Sequence, residues 1–307
     1  DDPQCGFPEI ADIEVSEVCH GVKGAPCAFC YKSNTGVGRN MSLELYKKVL
    51  DKLPITVTQV ALGIGDIDGN PDLRGIILET RKRGIVPNIT INGDRLTDDW
   101  VQFFAKNLGA IAVSLYDKDV TYDAVKRLTD AGMTQVNIHS LLAKESYARC
   151  MSAIDAKMTD SRLSKLNAIV FLSLKQKGRG CGYSRCSDEE FLRLVTRLRE
   201  THIGYGCDSC TANRLIWAYG QLNVPAEEMK MLEMVVEGCE ASCFSVYLNT
   251  LGEYSPCSFC EGETGWETGL NIVDCEDFLK DIWQHERTVE FRKKLMECKR
   301  SCPMFKV

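Results

Sequence analysis

Three cysteines crowd one short stretch of the chain, Ser16-Glu-Val-Cys19-His-Gly-Val-Lys-Gly-Ala-Pro-Cys27-Ala-Phe-Cys30-Tyr31. Thiolates are soft ligands suited to zinc, copper(I) and iron–sulfur clusters. Three is the informative number. A structural zinc or an electron-transfer cluster takes four protein ligands, whereas three leave one metal position open to an exogenous ligand, and an open position is where chemistry happens. Between Cys19 and Cys27 stand Gly21, Gly24 and Pro26, which form loops readily and let the chain bulge without displacing the sulfurs. A second feature lies at Ala61-Leu62-Gly63-Ile64-Gly65-Asp66. Glycines allow a ligand close to the backbone, and Asp66 offers negative charge to a bound ammonium. The segment fails as a dinucleotide fingerprint, because Asp68 stands where the third glycine belongs. An ordinary strand-end turn is the alternative.

Of the 16 cysteines in 307 residues, nine lie from Cys207 to Cys302. That is enough for two four-thiolate sites with one thiol left over. Cys-x2-Cys occurs at 27/30, 207/210 and 257/260. Zinc and iron–sulfur ligation both remain open for this half, since thiolate spacing alone does not separate them. Secreted disulfide scaffolds are usually shorter and do not alternate long strand and helix patterns.

Such an alternation is what positions these residues. Strands are predicted at 10–16, 57–62, 86–92, 110–116, 134–140 and 167–174, and helices at 42–53, 72–83, 97–107, 119–131, 145–157 and 189–199. Six βα units make an α/β protein, as a partial barrel or an open sheet, with ligands at the C-terminal strand ends. The first cysteine loop follows the first strand. Asn92, Ser114 and His139 lie near the ends of the third, fourth and fifth strands, as ligand contacts or as satisfied structural polar groups. After about residue 200 the segments shorten and the cysteines concentrate. A boundary is expected there, giving a catalytic domain at 1–200 and a cysteine-rich α+β domain at 201–307 that ends in a helix over 276–297. Lys175-Gln-Lys-Gly-Arg179 is a short basic cluster, either a solvated strand end or an anion site.

The formal net charge of −6 argues against broad nucleic-acid binding. No apolar run reaches a membrane-spanning length and the first residues lack a secretory signal, so a cytoplasmic protein without membrane contact is expected.

With these residues in view, the chain resembles the radical SAM superfamily, whose usual motif is Cys-x3-Cys-x2-Cys in the loop after the first strand. Cys27 and Cys30 match its second half, Phe29 its aromatic position, and Gly63–Asp66 its Gly-Gly-Glu segment; the first gap is seven residues instead of three. The resemblance implies a partial (β/α)6 radical SAM barrel whose Cys19, Cys27 and Cys30 hold a catalytic 4Fe–4S cluster. S-adenosylmethionine (SAM) would bind its open iron and be cleaved to a 5′-deoxyadenosyl radical, with Phe29, Gly63, Gly65, Asp66, Asn92, Ser114 and His139 around it. The run Cys243 to Cys257, with Gly252-x4-Cys257, resembles the hairpin of SPASM and twitch domains. It implies a C-terminal auxiliary-cluster domain with at least one further Fe–S cluster, on Cys210, Cys243, Cys257 and Cys302. Cys207, Cys239, Cys260, Cys275 and Cys298 are then second-site ligands or buried thiols.

Auxiliary domains of this kind resemble those of maturases acting on ribosomally made peptides. The implied partners are a precursor peptide, a flavodoxin- or ferredoxin-type reductant and, because the chain as given leaves no space for a leader-binding domain, a separate leader-peptide-binding protein. The Cys-x7-Cys-x2-Cys spacing is similar to that of peptide spliceases, which excise tyramine and leave an α-keto-β-amino acid. Small-molecule or RNA radical SAM chemistry, and a non-catalytic Fe–S or zinc protein, are the alternatives.

Overall fold

The computed structural model describes residues 6–307. Its first two thirds realise the expected alternation: β1 Ile10–Glu14, α1 Leu43–Lys52, β2 Gln59–Gly63, α2 Leu73–Lys82, β3 Val86–Ile91, α3 Asp98–Asn107, β4 Ile111–Ser114, α4 Lys118–Asp130, β5 Val136–Leu142, α5 Tyr147–Thr159, β6 Ala168–Ser173 and α6 Asp188–Thr201. Helix starts are written locally. Ser42, Thr97 and Asp117 accept from backbone N–H groups of the first turns of α1, α3 and α4, and Ser187 with Glu190 forms a reciprocal capping box on α6.

Strand residues alternate between two faces. Ile13, Val60, Leu62, Ile89, Ile91, Ile138, Ile169 and Phe171 are buried in the core. Burying such a side chain contributes about 1.5–3 kcal/mol. The opposite residues, among them Glu14, Gly63, Thr90, Ser114, His139 and Leu172, surround a single cavity. One face of a sheet can enclose a cavity only if the sheet curls, so the strands form an open barrel.

The remaining elements are β7 Tyr205–Cys207, α7 Ala212–Gln221, α8 Ala226–Val235, β8 Ser245–Leu248, β9 Glu253–Ser255, β10 Leu270–Asn271 and α9 Glu286–Glu297. All strands belong to one sheet of order β10-β9-β8-β1-β2-β3-β4-β5-β6-β7. β8 lies parallel to β1, Ile10 opposite Ser245 and Ile13 opposite Leu248, so the cysteine-rich part extends the barrel's own sheet.

Two details go beyond or depart from the sequence expectations. Strand β7 and helices α7 and α8 occupy a stretch to which no elements were assigned. The tail is not one helix: a π-helical turn at Leu279–Trp283 stops at Gln284, and α9 restarts where the His285 ring accepts from Arg287 N at 3.2 Å. Arg292 reaches back to the Trp283 carbonyl at 2.8 Å, satisfying an acceptor at the break. Among the described residues no helix is long and apolar enough to cross a membrane.

Candidate active site

The cysteine loop leaves β1 and is held from both sides. Glu17 N donates to Arg39 O at 2.9 Å and Cys19 N to Thr35 O at 2.7 Å. The long gap before Cys27 folds into a tight reversal. Lys23 and Gly24 both have positive φ, 54° and 74°, and Ala25 N donates to Val22 O at 3.0 Å. That is the geometry of a two-residue primed turn. Lys23 then reaches the loops after β3 and β4, its N–H bonding Asp94 at 2.9 Å and its ammonium Asp117 at 2.6 Å.

Gly65 brings the second strand against this loop. A Cβ there would lie 2.3 Å from Cys19 Cβ and 2.8 Å from its sulfur, so no other residue fits without moving Cys19. Asp66 behaves differently from its sequence reading. Its buried carboxylate accepts from His20 N at 2.8 Å, from the His20 ring at 2.7 Å and from Asn92 Nδ2 at 3.0 Å. It therefore ties the cysteine loop to β3, and the cavity wall beside it is made by Gly63, Ile64 and Gly65. Phe29 likewise packs sideways, its ring 5.3 Å from Tyr116 and 5.6 Å from Tyr183, anchoring the loop.

The basic cluster is not a solvated strand end. Arg179 N donates to Cys30 O at 3.0 Å, and its guanidinium bonds Cys27 O at 2.9 Å and Asn34 O at 3.1 Å. Lys177 holds Phe259 O at 2.9 Å and the Glu263 carboxylate at 3.1 Å. Lys175 is buried in an ion pair with Asp208. The segment clamps the first cysteine loop to the loop carrying Cys257 and Cys260.

Cys19, Cys27 and Cys30 line the same cavity, of about 440 Å³, as Gly63, Gly65, Asn92, Ser114 and His139. Pockets of this size hold small cofactors. Burial and the neighbouring sulfurs push the Cys27 thiol up to about 12, and burial also raises Cys19. Burial lowers His139 to about 4, so its imidazole is neutral at physiological pH. Three residues that sequence reasoning missed complete the wall: Glu14, Lys32 and Tyr247. Lys32 Nζ lies 3.0 Å from Glu14 and 2.8 Å from the Tyr247 hydroxyl, which donates to Glu14 at 3.0 Å. Burial raises both Glu14 and Tyr247. The available signal was Glu14, a charged residue inside an apolar strand.

A second group of sulfurs gathers about Cys302. Cys210 is within side-chain hydrogen-bonding reach of Cys239 and Cys302, and the bond to Cys239 helps hold its thiol up at about 12. Cys257 and Cys260 stand 3.5 Å apart, and both feel the charge of Cys302. Of the sequence-nominated set, Cys210, Cys257 and Cys302 come together. Cys239 and Cys260 lie among them, and Cys243 is fully buried in the turn before β8. The Cys257-x2-Cys260 spacing was the signal for Cys260; Cys239 had none. The buried ammonium of Lys175 faces Cys210 and Cys257.

Residues 13–135 match the family model for the Radical SAM superfamily. This segment belongs to the radical SAM superfamily. No curated protein matches the chain in sequence. In fold, the chain is similar to Streptococcus suis SuiB bound to its precursor peptide SuiA, with TM-score 0.70 at 18% identity over 97% of this chain and 74% of that one. It is also similar to SuiB bound to S-adenosylmethionine, with TM-score 0.68 at 16% identity over 97% and 74%. anSMEcpe with bound AdoMet and the Cp18Cys peptide gives TM-score 0.62 at 15% identity over 97% and 88%.

The radical SAM family implies a 4Fe–4S cluster and SAM, and the residues fit both. Among the described residues no three His, Cys, Asp or Glu side chains converge on one ion. The three loop thiols instead border one cavity, as a cluster of several irons requires, one thiolate to each iron. Arg179 beside Cys27 and Cys30 supplies positive charge to an anionic cluster. The radical SAM barrel leaves Gly63–Gly65, Asn92, Ser114 and His139 facing the same space.

Proposed function

We propose that this chain is a radical SAM peptide maturase. The observation that carries it is the single cavity shared by an incomplete thiolate set and the polar ends of β3, β4 and β5. A cluster on Cys19, Cys27 and Cys30 would supply the electron for reductive SAM cleavage to a 5′-deoxyadenosyl radical. The chain's own contribution is positional. Gly63 and Gly65 admit the cofactor to the backbone, Asn92 and Ser114 offer hydrogen bonds, and neutral His139 offers one donor and one acceptor without adding charge. Leu172 adds an apolar side chain to the cavity wall.

The peptide substrate class is supported by likeness in fold to SuiB, whose structure holds a precursor peptide, and to anSMEcpe, whose structure holds the Cp18Cys peptide. Backbone splicing with tyramine excision is the narrower form of this reading, and rests on the Cys19-x7-Cys27-x2-Cys30 spacing alone. The second sulfur group is read as an auxiliary Fe–S site in a domain from about residue 201, drawing its ligands from among Cys210, Cys239, Cys243, Cys257, Cys260 and Cys302. A separate leader-binding protein, a flavodoxin- or ferredoxin-type reductant and a cytoplasmic setting complete the proposal.

The test has two parts. Replacing Cys19, Cys27 and Cys30 together by Ala should abolish 5′-deoxyadenosine formation while iron at the second site persists. Mass spectrometry of precursor peptides coexpressed with the wild-type chain should show a mass change that the triple variant lacks. Undiminished SAM cleavage by the triple variant would sink the assignment.

A further inference from the structure

The open side of the barrel ends at β7, and no second strand among the described residues pairs with its outer edge. Ile169 N donates to Gly204 O at 3.1 Å and Asp208 N to Phe171 O at 3.2 Å, so Gly204, Gly206 and Asp208 turn their backbone groups to β6. By the alternation of a parallel ladder, the N–H and C=O groups of Tyr205 and Cys207 face outward. They face a groove of about 370 Å³ lined by Tyr205, Gly206 and Cys207. Its opposite wall is apolar, with Leu232, Val235 and Val236 on or beside α8. That helix leaves Met231, Met234 and Val235 largely in water.

The groove's charge is of one sign. Asp208, Glu237 and Glu240 line it, with no Lys or Arg. Lys175 already pairs with Asp208, which leaves Glu237 and Glu240 as the groove's other carboxylates, with Arg300 beside them on the Gly238 and Cys239 carbonyls.

We propose that the β7 edge binds an extended, cationic segment of the peptide substrate, which adds to the sheet as a further strand. Tyr205 and Cys207 supply two backbone N–H and two C=O groups, the set a short extended peptide satisfies. Gly206 keeps the approach clear, since even an added Cβ there would touch only Val170. Apolar side chains on one face of the segment meet Leu232 and Val235, and a Lys or Arg meets Glu237 and Glu240. This deepens the peptide-maturase reading and rests on it for the identity of the occupant.

The experiment uses the full, iron-loaded chain with two blocked octapeptide probes, one alternating lysine with valine and its twin alternating glutamate with valine. Affinity is read by fluorescence anisotropy and contact by amide hydrogen exchange. The lysine probe is expected to slow exchange at the Tyr205 and Cys207 amides and to bind about tenfold more tightly than its twin. The double variant Glu237→Gln/Glu240→Gln should remove most of that preference. Equal affinity for both probes, or binding that leaves the two amides exchanging freely, would overturn the proposal. If a coexpressed precursor is modified while those amides stay unprotected by it, the edge site fails and the maturase reading stands. If the probe protects them while no precursor is modified, the site stands and the maturase reading fails.

Discussion

The two sulfur sites are built in opposite ways. The first takes its three thiols from one loop on the end of β1, tied by backbone hydrogen bonds and, at Cys19, by the close approach of Gly65. The second draws five thiols from four separated places: the turn before α7, the segment after α8, the loop after β9 and the C-terminal tail. A local site is positioned by the strand that precedes it, so metal need not hold it together. A dispersed site is a clasp, and metal binding there closes several long loops at once. The first should therefore be sensitive to small changes in shape, and the second should matter most to stability.

The largest effect expected is on the first site and needs no cysteine change. Gly65→Ala places a methyl where Cys19 stands, and a displacement near 1 Å costs about 100-fold in a positioned reaction. Deoxyadenosine formation should fall by that order while second-site iron, read by Mössbauer spectroscopy, is retained. Loss of iron from both sites would show that they are not independent.

Cys302→Ala should do the reverse, releasing second-site metal and lowering the melting temperature by about 5–10 °C while SAM still binds. A melting curve identical to wild type would remove the clasp from the comparison. Arg179→Lys sits between the two, because it loses the bonds to Cys27 O and Asn34 O. Hydrogen bonds to charged groups contribute about 1.5–3 kcal/mol, so SAM affinity should weaken roughly tenfold or more. Isothermal titration would measure it.

The smallest effect is on pH dependence. His139 is held neutral in the fold with its value lowered to about 4, below the 6.5 of the unfolded chain. The unfolded state then binds more protons between these values, so the stability from keeping His139 neutral is complete above about 6.5 and is lost as pH falls towards 4. His139→Gln should flatten denaturant midpoints across that window by on the order of 2 kcal/mol. An unchanged slope would assign the acid sensitivity elsewhere.

What could be read in the sequence follows the same division between local and dispersed. β1 to β6 and α1 to α6 were legible because periodicity and caps are properties of neighbouring residues. That the cysteine loop and Gly63–Gly65 lie at neighbouring strand ends was legible because each sits in a short run after a predicted strand. The bonds of Asp66 to His20 and Asn92 were not, because a carboxylate after two glycines reads the same whatever it faces. β7 is three residues with a central glycine, too short to show alternation. The pairing of β8 with β1, the convergence of Cys239 with Cys210, and the Lys177 and Arg179 clamp depend on contacts between distant segments. No local pattern encodes them.

The place of β8 beside β1 has a consequence for the order of events during synthesis. β1 leaves the ribosome well before one of its two flanking strands, which begins only at Ser245. At ordinary elongation rates roughly 10–50 s pass between the two. Through that interval β1 keeps an open edge, and Lys32 lacks its partners Tyr247 and Glu261. The nascent barrel is thus an unfinished template with exposed thiols, and insertion of iron and sulfide by an assembly machinery is best timed after translation. Pulse-labelled chains should acquire iron only once they are long enough to expose residue 248 beyond the exit tunnel.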